Sequence, residues 1–481
     1  MKVLKNNKGS TTILLNGFGY NDKKLLKNGS VRWRCQQRVH FNCIGSITTD
    51  SSISTIVCSK NHNHDADFTW AEAQEIRQDI KSMATNGRAK PIQLVTDVLS
   101  NADNTDAALK AGTKDALRQM AKRIQRGDRP KNPPSMEEIP IPFPAEYGEY
   151  LIHDNQDPLN RIIIFASDAG LEILGSADVW FMDGTFYTCP NQFEQLYIIR
   201  APLNDTCRTV MYAYLPARTQ AVYTEMLEAL VSACTQRNIT LDPVRIVADY
   251  EIGLHNAVTA VFESEASISG CFYHLTQSTW RRVQSEGLQK LYNENTSVRE
   301  FCGKIDGLAF LPVEDVKDGM KLLYDEAPDH LRCLVEYFDA NYVNGGFKAK
   351  ANKDNQLIIR LHRVPPKFPP SVWNVHSTTL EGGDRTNNQC ESFNSYFKTL
   401  VGCANPSLWT VSHNIWKDIR MVKLDIIRAA RGILPPKRVK KGTSIHQQVC
   451  KKLCEKYINK EKTMQEFLQS IGKSIRIAKK K

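Results

Sequence analysis

The chain has 481 residues, 41% hydrophobic and 24% charged, a balance that suits a folded protein of two or three cores and excludes a disordered low-complexity chain. No apolar run approaches the ~20 residues of a membrane span, and the opening MKVLKNNKGSTTILLNG lacks the apolar core and cleavage site of a signal peptide, so an intracellular protein is expected. Thirteen cysteines, an odd number, argue for buried thiols and metal ligands over a disulfide framework, and residues 437–481 account for the whole net charge of +11.

The first module spans residues 10–67. Cys35 and Cys43 precede His62 and His64 in the order Cys-x7-Cys, an 18-residue gap, His-x-His. The alternating stretch IGSITTDSSISTIVC fills most of the gap and reads as extended chain. In such a chain residues i and i+2 face the same way, so His62 and His64 point at one ion. Two thiolates and two imidazoles make a closed tetrahedral zinc site of the structural kind, and so small a module needs the metal's folding energy. Cys58 reads either as a rival ligand or as a core residue on the strand. Gly17-x-x-Tyr20, Trp33-x-Cys35, Cys43 and His62-x-His64 together resemble a FLYWCH-type zinc finger over residues 12–66. That resemblance implies binding of DNA or protein, often beside a transposase domain. The family's usual basic run after the second cysteine is replaced here by Ile44-Gly45-Ser46, which leaves Arg32, Arg34, Arg38 and Lys60 as candidate DNA contacts.

A helical connector is expected over residues 68–145. Residues 71–84 space Ile76, Ile80 and Met83 helically; 91–102 place a proline at a helix start before Ile92, Val95 and Leu99; 114–126 align Leu117, Met120, Ala121 and Ile124. The third helix shows a basic face of Arg118, Lys122, Arg123 and Arg126. The trio reads as a small DNA-binding bundle or as a spacer with a solvated face. PKNPPSMEEIPIPFP, residues 130–144, cannot continue a helix and is expected to be a semi-rigid linker.

The stretch VWFMDGTFYTC, residues 179–189, organises the domain expected over 160–430. Its apolar run ends on Asp183, where a carboxylate serves a metal better than it serves packing. EQLYIIRAP (194–202) and TVMYAYLP (209–216) add strands in an antiparallel meander. A helix over 222–234, the strand PVRIVAD (243–249) ending on Asp249, a helix over 253–262 and a short strand CFYH (271–274) follow. Three strands, a crossover helix, a strand, a helix and a strand describe an α/β, RNase H-like core, with a helical insertion over about 285–375. Asp183 and Asp249 are expected at one sheet edge, where they repel unless a cation neutralises them. Hard oxygen ligands with open positions point to Mg²⁺ or Mn²⁺. TNNQCESFNSYF opens a helix whose first turn carries Glu391, a third carboxylate for a second ion. The trio fits two-metal phosphoryl transfer, Asp183 bridging and Asp249 and Glu391 each holding one ion; singly, such acids are common turn residues. Cys271 and His274 supply too few ligands for a zinc of their own and read as supporting the site, the alternative being a buried thiol beside a hydrogen-bonded imidazole. Glu251 reads as an accessory acid or a helix-start carboxylate.

DGTF with Asp183, ADYE with Asp249, Cys271-x2-His274 and TNNQCE with Glu391 resemble the transposase domain of Mutator-like elements over residues 175–400. The resemblance implies a DDE triad of Asp183, Asp249 and Glu391 on an RNase H-like fold, with DNA, including transposon terminal inverted repeats, as partner and a homo-oligomer assembled on it. In the tail, residues 432–481, the PPKRVKK cluster with Lys437, Arg438, Lys440 and Lys441 reads as a nuclear localisation signal and a DNA contact. A helix is expected over 445–468 with Lys451, Lys452 and Lys456 exposed, for DNA contact or mere solvation. The expectation is a nuclear, zinc-containing DNA transposase; the alternatives are a non-catalytic DNA-binding regulator and a protein-interaction module built on the finger.

Overall fold

The computed structural model describes residues 1–5, 10–86, 89–127, 130–262, 266–351, 359–433 and 441–477. The chain divides into two compact units, Met1–Pro130 and Lys131–Lys481.

In the first unit six antiparallel strands follow one another in sequence order: β1 (Lys2–Lys5), β2 (Thr11–Leu15), β3 (Phe18–Leu25), β4 (Val31–Cys35), β5 (Ser46–Thr49) and β6 (Ile56–Lys60). A single turn of helix, α1 (Arg38–Phe41), sits between β4 and β5. Ile13, Tyr20, Trp33 and Ile47 form the sheet's small apolar cluster, with the Trp33 indole donating to Thr49 Oγ1 at 3.1 Å. A core this small is of the kind that a structural metal commonly supplements. Four helices follow: α2 (Phe68–Asn86), α3 (Pro91–Ser100), α4 (Thr105–Ala111) and α5 (Lys114–Arg126). They share a core of Ala73, Ile80, Leu94, Val95, Leu117 and Ala121. Sequence periodicity shows three of these and misses α4, whose seven residues are too short to display a period. Its start is marked instead by Asn104, which caps the amides of Asp106 and Ala107.

The second unit is built on a seven-stranded sheet: β7 (Leu151–Asp154), β8 (Ile163–Ala166), β9 (Val179–Thr185), β10 (Gln195–Leu203), β11 (Thr206–Leu215), β12 (Arg245–Ala248) and β13 (Ser267–Gly270). The spatial order is β13-β12-β9-β10-β11-β8-β7. β9, β10 and β11 are antiparallel neighbours, while β12 runs parallel to β9 and β13 parallel to β12. Alternation along β9 decides the faces. Trp180 and Met182 enter one apolar cluster, shared with residues of α6 (Asp168–Gly175), α7 (Gln220–Thr235) and α8 (Ile252–Val261). Phe181 enters the cluster on the opposite face.

The Pro-rich stretch read as a linker is part of that second cluster. Ile139, Phe143, Tyr147 and Tyr150 are buried there, and the 1%-exposed Arg161 fastens it, donating to the Ile139 and Pro140 carbonyls at 2.8 and 2.9 Å while paired with Asp154. Proline forbids helix here but not packing; the apolar residues between the prolines supply the anchor.

Beyond β13 lies a helical lobe: α9 (Phe272–Ser285), α10 (Gln289–Glu294), α11 (Thr296–Gly307), α12 (Val316–Glu326) and α13 (Arg332–Phe338), then a hairpin of β14 (Gly346–Ala351) and β15 (Ile359–Val364), then α14 (Pro370–Trp373) and α15 (His376–Glu381). The CFYH segment expected as a strand begins α9 instead: Phe272, Leu275, Thr279 and Val283 recur at helical spacing and are all buried. The chain then returns to the sheet as α16 (Asn388–Val401) and α17 (Leu408–Ala430). Finally α18 (Lys441–Ile458) and α19 (Met464–Arg476) re-enter the lobe, burying Cys450, Cys454, Phe467, Leu468 and Ile471. The basic tail is thus two helices where one was expected, each with an apolar stripe buried in the lobe. α19 meets α11 so closely that a Cβ on Gly303 would stand 2.5 Å from the Gly472 carbonyl oxygen.

Candidate functional site

The four ligands proposed for zinc converge. Cys35 Sγ lies 3.3 Å from His64 Nε2, Cys43 Sγ 3.3 Å from His62 Nδ1, and the two imidazole nitrogens 3.3 Å from each other. Ligands on a tetrahedral zinc, with Zn–S ~2.3 Å and Zn–N ~2.0–2.1 Å, are about that far apart. Strand β4 ends on Cys35, the loop after α1 carries Cys43, and the extended chain after β6 delivers both histidines. The amides of Gln37 and Gly45 donate to the two sulfurs, each at 3.3 Å, as thiolates require. Burial raises the Cys35 thiol's pKa first, and the neighbouring Cys43 sulfur adds to that, a cost a cation removes. Two neighbours complete the site: Tyr20, part of the Gly17-x-x-Tyr20 motif, puts Oη 2.8 Å from His62 Nε2, and Phe18 stacks flat on the His62 ring at 3.7 Å. They fix which imidazole nitrogen faces the metal. Cys58 lies outside the quartet, exposed on β6 rather than buried in the core.

The second site is set by strand register. Phe181 of β9 pairs directly with Val247 of β12, and both point into the α16–α17 face. Two residues further on, alternation brings Asp183 and Asp249 side by side on that same face. Helix α16 is then fastened over β9. Asn387 Nδ2 donates to the Met182 carbonyl and Asn394 Nδ2 to Asp183 Oδ2, both at 2.8 Å, while Arg200 Nη1 holds the Gln389 carbonyl at 2.6 Å. Cys271 Sγ accepts from the Asn387 amide at 3.1 Å, so the buried thiol ties the start of α9 to the start of α16. His274, on the first turn of α9, puts Nδ1 2.5 Å from Asp249 Oδ1. Cys271, His274 and Glu391 have ligand atoms within 4.8 Å of one another, and the three carboxylates do not form so tight a group among the described residues. Like charges without a cation between them splay.

Asp183, Asp249 and His274 line a cleft of about 640 Å³, whose walls also include Phe186, Tyr197, Arg218 and Glu251. Burial, and then the neighbouring Asp249, push the Asp183 carboxyl up to about 7. Glu391 is raised by burial and by Asp249. Burial acts to lower His274, but its contacts with the Asp249 carboxylate and the Cys271 sulfur prevail and carry it up to about 10. Buried oxygens on Glu391 (Oε1) and Asn394 (Oδ1) have no hydrogen-bond partner among the described residues. Crowded carboxylates with unmet acceptor oxygens fit a hard divalent cation.

Gly184 is required by close approach: a Cβ there would stand 2.1 Å from Gln195 Oε1, and Gln195 in turn donates to Tyr223 Oη at 2.8 Å. Tyr223 and Arg218 engage the Glu251 carboxylate, which is thereby a structural group at the cleft's rim. The site residues that sequence reading missed are Asn387 and Asn394. Their signal was present, since they lie four before and three after Glu391, on its face of the helix.

Among the proposed DNA contacts, Arg34 and Arg38 both approach Asp22, at 3.9 and 2.9 Å, and Arg32 donates to Ser46 Oγ at 3.4 Å. Asp22 thus offsets part of the positive charge on this strand face. Lys441 is exposed at the start of α18; Lys437, Arg438 and Lys440 lie outside the described residues. No helix among the described residues is long and apolar enough to cross a membrane.

Residues 3–64 match the family model of the FLYWCH zinc finger domain, and residues 179–278 match that of the MULE transposase domain. The second match includes Asp183, Asp249, Cys271 and His274 and ends before Glu391. No curated protein matches the chain. The two domains support a transposase, or a protein derived from one, that carries a DNA-binding zinc finger.

Proposed function

We propose that the chain cuts and joins DNA strands as a DDE transposase, on an RNase H-like core, with Asp183, Asp249 and Glu391 as the acids that hold Mg²⁺ or Mn²⁺. The observation that carries this is that Asp183 on β9 and Asp249, just past the end of the adjacent parallel β12, lie beneath the helix bearing Glu391. The strand order, a three-strand antiparallel meander with two parallel strands added beside its first strand, supports the fold reading. A bound pair of divalent ions would supply activation of a water or 3′-hydroxyl and neutralise the leaving oxygen. The protein's own part is placement. Asn394 fixes the rotamer of Asp183, Asn387 fixes the helix that carries Glu391, and Cys271 ties the start of that helix to the start of α9. His274 Nδ1 lies 2.5 Å from Asp249 Oδ1, where a proton on the imidazole would offset part of the repulsion among the acids.

The zinc finger is proposed as a DNA contact and the terminal inverted repeats of a transposon as the natural substrate, bound by a homo-oligomer. The cluster of Lys437, Arg438, Lys440 and Lys441 is proposed to direct the chain to the nucleus. The test is strand cleavage on terminal-repeat DNA with Mg²⁺ or Mn²⁺, comparing the wild type with Asp183→Asn. Metal-dependent cleavage lost in the variant supports the triad. Equal cleavage by both removes Asp183 from the catalytic set, and none by either with DNA binding intact replaces the enzyme with a non-catalytic DNA-binding regulator.

A further inference from the structure

One wall of the acidic cleft is basic. Helix α9 presents His274, Ser278, Arg281, Arg282 and Ser285 toward the cleft, positions that recur at three- and four-residue intervals and therefore share one face. Lys367, on the segment between β15 and α14, lines the same wall. Arg282 is committed to the protein: it pairs with Glu286 at 2.7 Å and its guanidinium lies 5.0 Å over the Tyr337 ring. Arg281 and Lys367 are exposed and have no acidic partner among the described residues. Arg281 and Lys367 thus make no ion pair that would occupy them within the protein. They are placed for a ligand that is anionic along its length and meets the acids at one point only.

We propose that Arg281 and Lys367 bind the sugar–phosphate backbone of the DNA strand whose reacting phosphate lies at Asp183 and Asp249. This rests on the cleavage function proposed above and adds the residues that hold the strand. The helix fixes the spacing. Arg281 is seven residues beyond His274, about 10 Å along α9 at ~1.5 Å per residue. At ~3.4 Å of axis per nucleotide, that distance corresponds to a phosphate roughly three nucleotides from the reacting one. At about 640 Å³ the open cleft takes a short backbone segment of one strand of the duplex, and the duplex rise sets that spacing. Ser278 lies between the two ends of this path, and the partly exposed Phe186 ring stands at its margin.

The test uses the full chain and a labelled nicked duplex in the absence of divalent metal. Arg281→Ala with Lys367→Ala should reduce the slope of log affinity against log salt by about 1.4–1.8, the release expected for two phosphates. Lys321→Ala, an exposed lysine on α12 away from the cleft, should leave the slope unchanged. A methylphosphonate about three nucleotides from the nick should weaken wild-type binding and add nothing to the loss in Arg281→Ala. An unchanged slope in the double variant, an equal fall in Lys321→Ala, or full additivity with the neutral phosphate overturns the assignment. Wild-type cleavage in Mg²⁺ or Mn²⁺ is scored separately. Cleavage with a wall-independent slope removes the wall alone, whereas a wall-dependent slope without cleavage removes the catalytic function alone.

Discussion

Replacing Asp183 by Asn should stabilise the metal-free protein at neutral and alkaline pH. In the fold the carboxyl is pushed up to about 7, by burial first and by Asp249 second, against ~3.9 in an unfolded chain. Between those values the unfolded state releases a proton that the folded state retains. The group's contribution is therefore fully present below about pH 4 and lost as pH rises through about 7. Three pKa units correspond to ~4 kcal/mol; solvent reaching a partly exposed side chain through an open cleft brings the figure to roughly 2–4 kcal/mol. Asn keeps the volume and the oxygen that accepts from Asn394 at 2.8 Å, so the charge is what changes. At ~2.1 cal/mol/K per residue of unfolding entropy, a unit the size of Lys131–Lys481 should gain about 3–5 °C in Tm. The assay is thermal unfolding in a chelator at a series of pH values. The gap between Asp183→Asn and wild type should widen from pH 5 to pH 8, and Mg²⁺ or Mn²⁺ should raise the wild type more than the variant. A variant no more stable than wild type at pH 8, or a gap that narrows as pH rises, would refute the electrostatic account of the cleft.

Cys43→Ser should lose zinc by elemental analysis and unfold the sheet of residues 1–67 by circular dichroism. Tyr20→Phe should keep that fold and weaken metal affinity by about 10–100-fold, because the hydroxyl is the partner of His62 Nε2 at 2.8 Å. Asn394→Ala frees the Asp183 rotamer and should lower the cleavage rate at saturating DNA by roughly 10–100-fold with little change in DNA affinity; an unaltered rate would remove Asn394 from the site. Arg476→Ala leaves the fully buried Asp306 without its partner at 2.6 Å, and urea unfolding should show a loss of about 3–5 kcal/mol. A loss below about 1 kcal/mol would mean that α19 is not packed as described.

The parts of this molecule legible in its sequence are those where chemistry dictates residue type. A closed tetrahedral site needs two thiolates and two imidazoles, and Cys35, Cys43, His62 and His64 are recognisable without knowing the sheet that holds them. Asp183 and Asp249 are legible for a related reason, since each breaks an apolar strand two residues after an inward-facing side chain, Phe181 and Val247. What escaped is packing hidden under charge. Residues 441–477 read as a basic tail because lysines dominate the composition, yet Cys450, Cys454, Phe467, Leu468 and Ile471 form a stripe that the lobe buries completely. The Pro-rich segment escaped likewise, its prolines concealing Ile139 and Phe143. The consequence reaches the acids. Helix α9 is at once the wall of the cleft, through His274, and a member of the lobe core, through Leu275 and Val283. Cys271, capping that same helix, holds the amide of Asn387 at the start of the Glu391 helix. The C-terminal helices complete the core against which α9 packs, so they support the position of Glu391 through packing, independently of any phosphate their lysines meet.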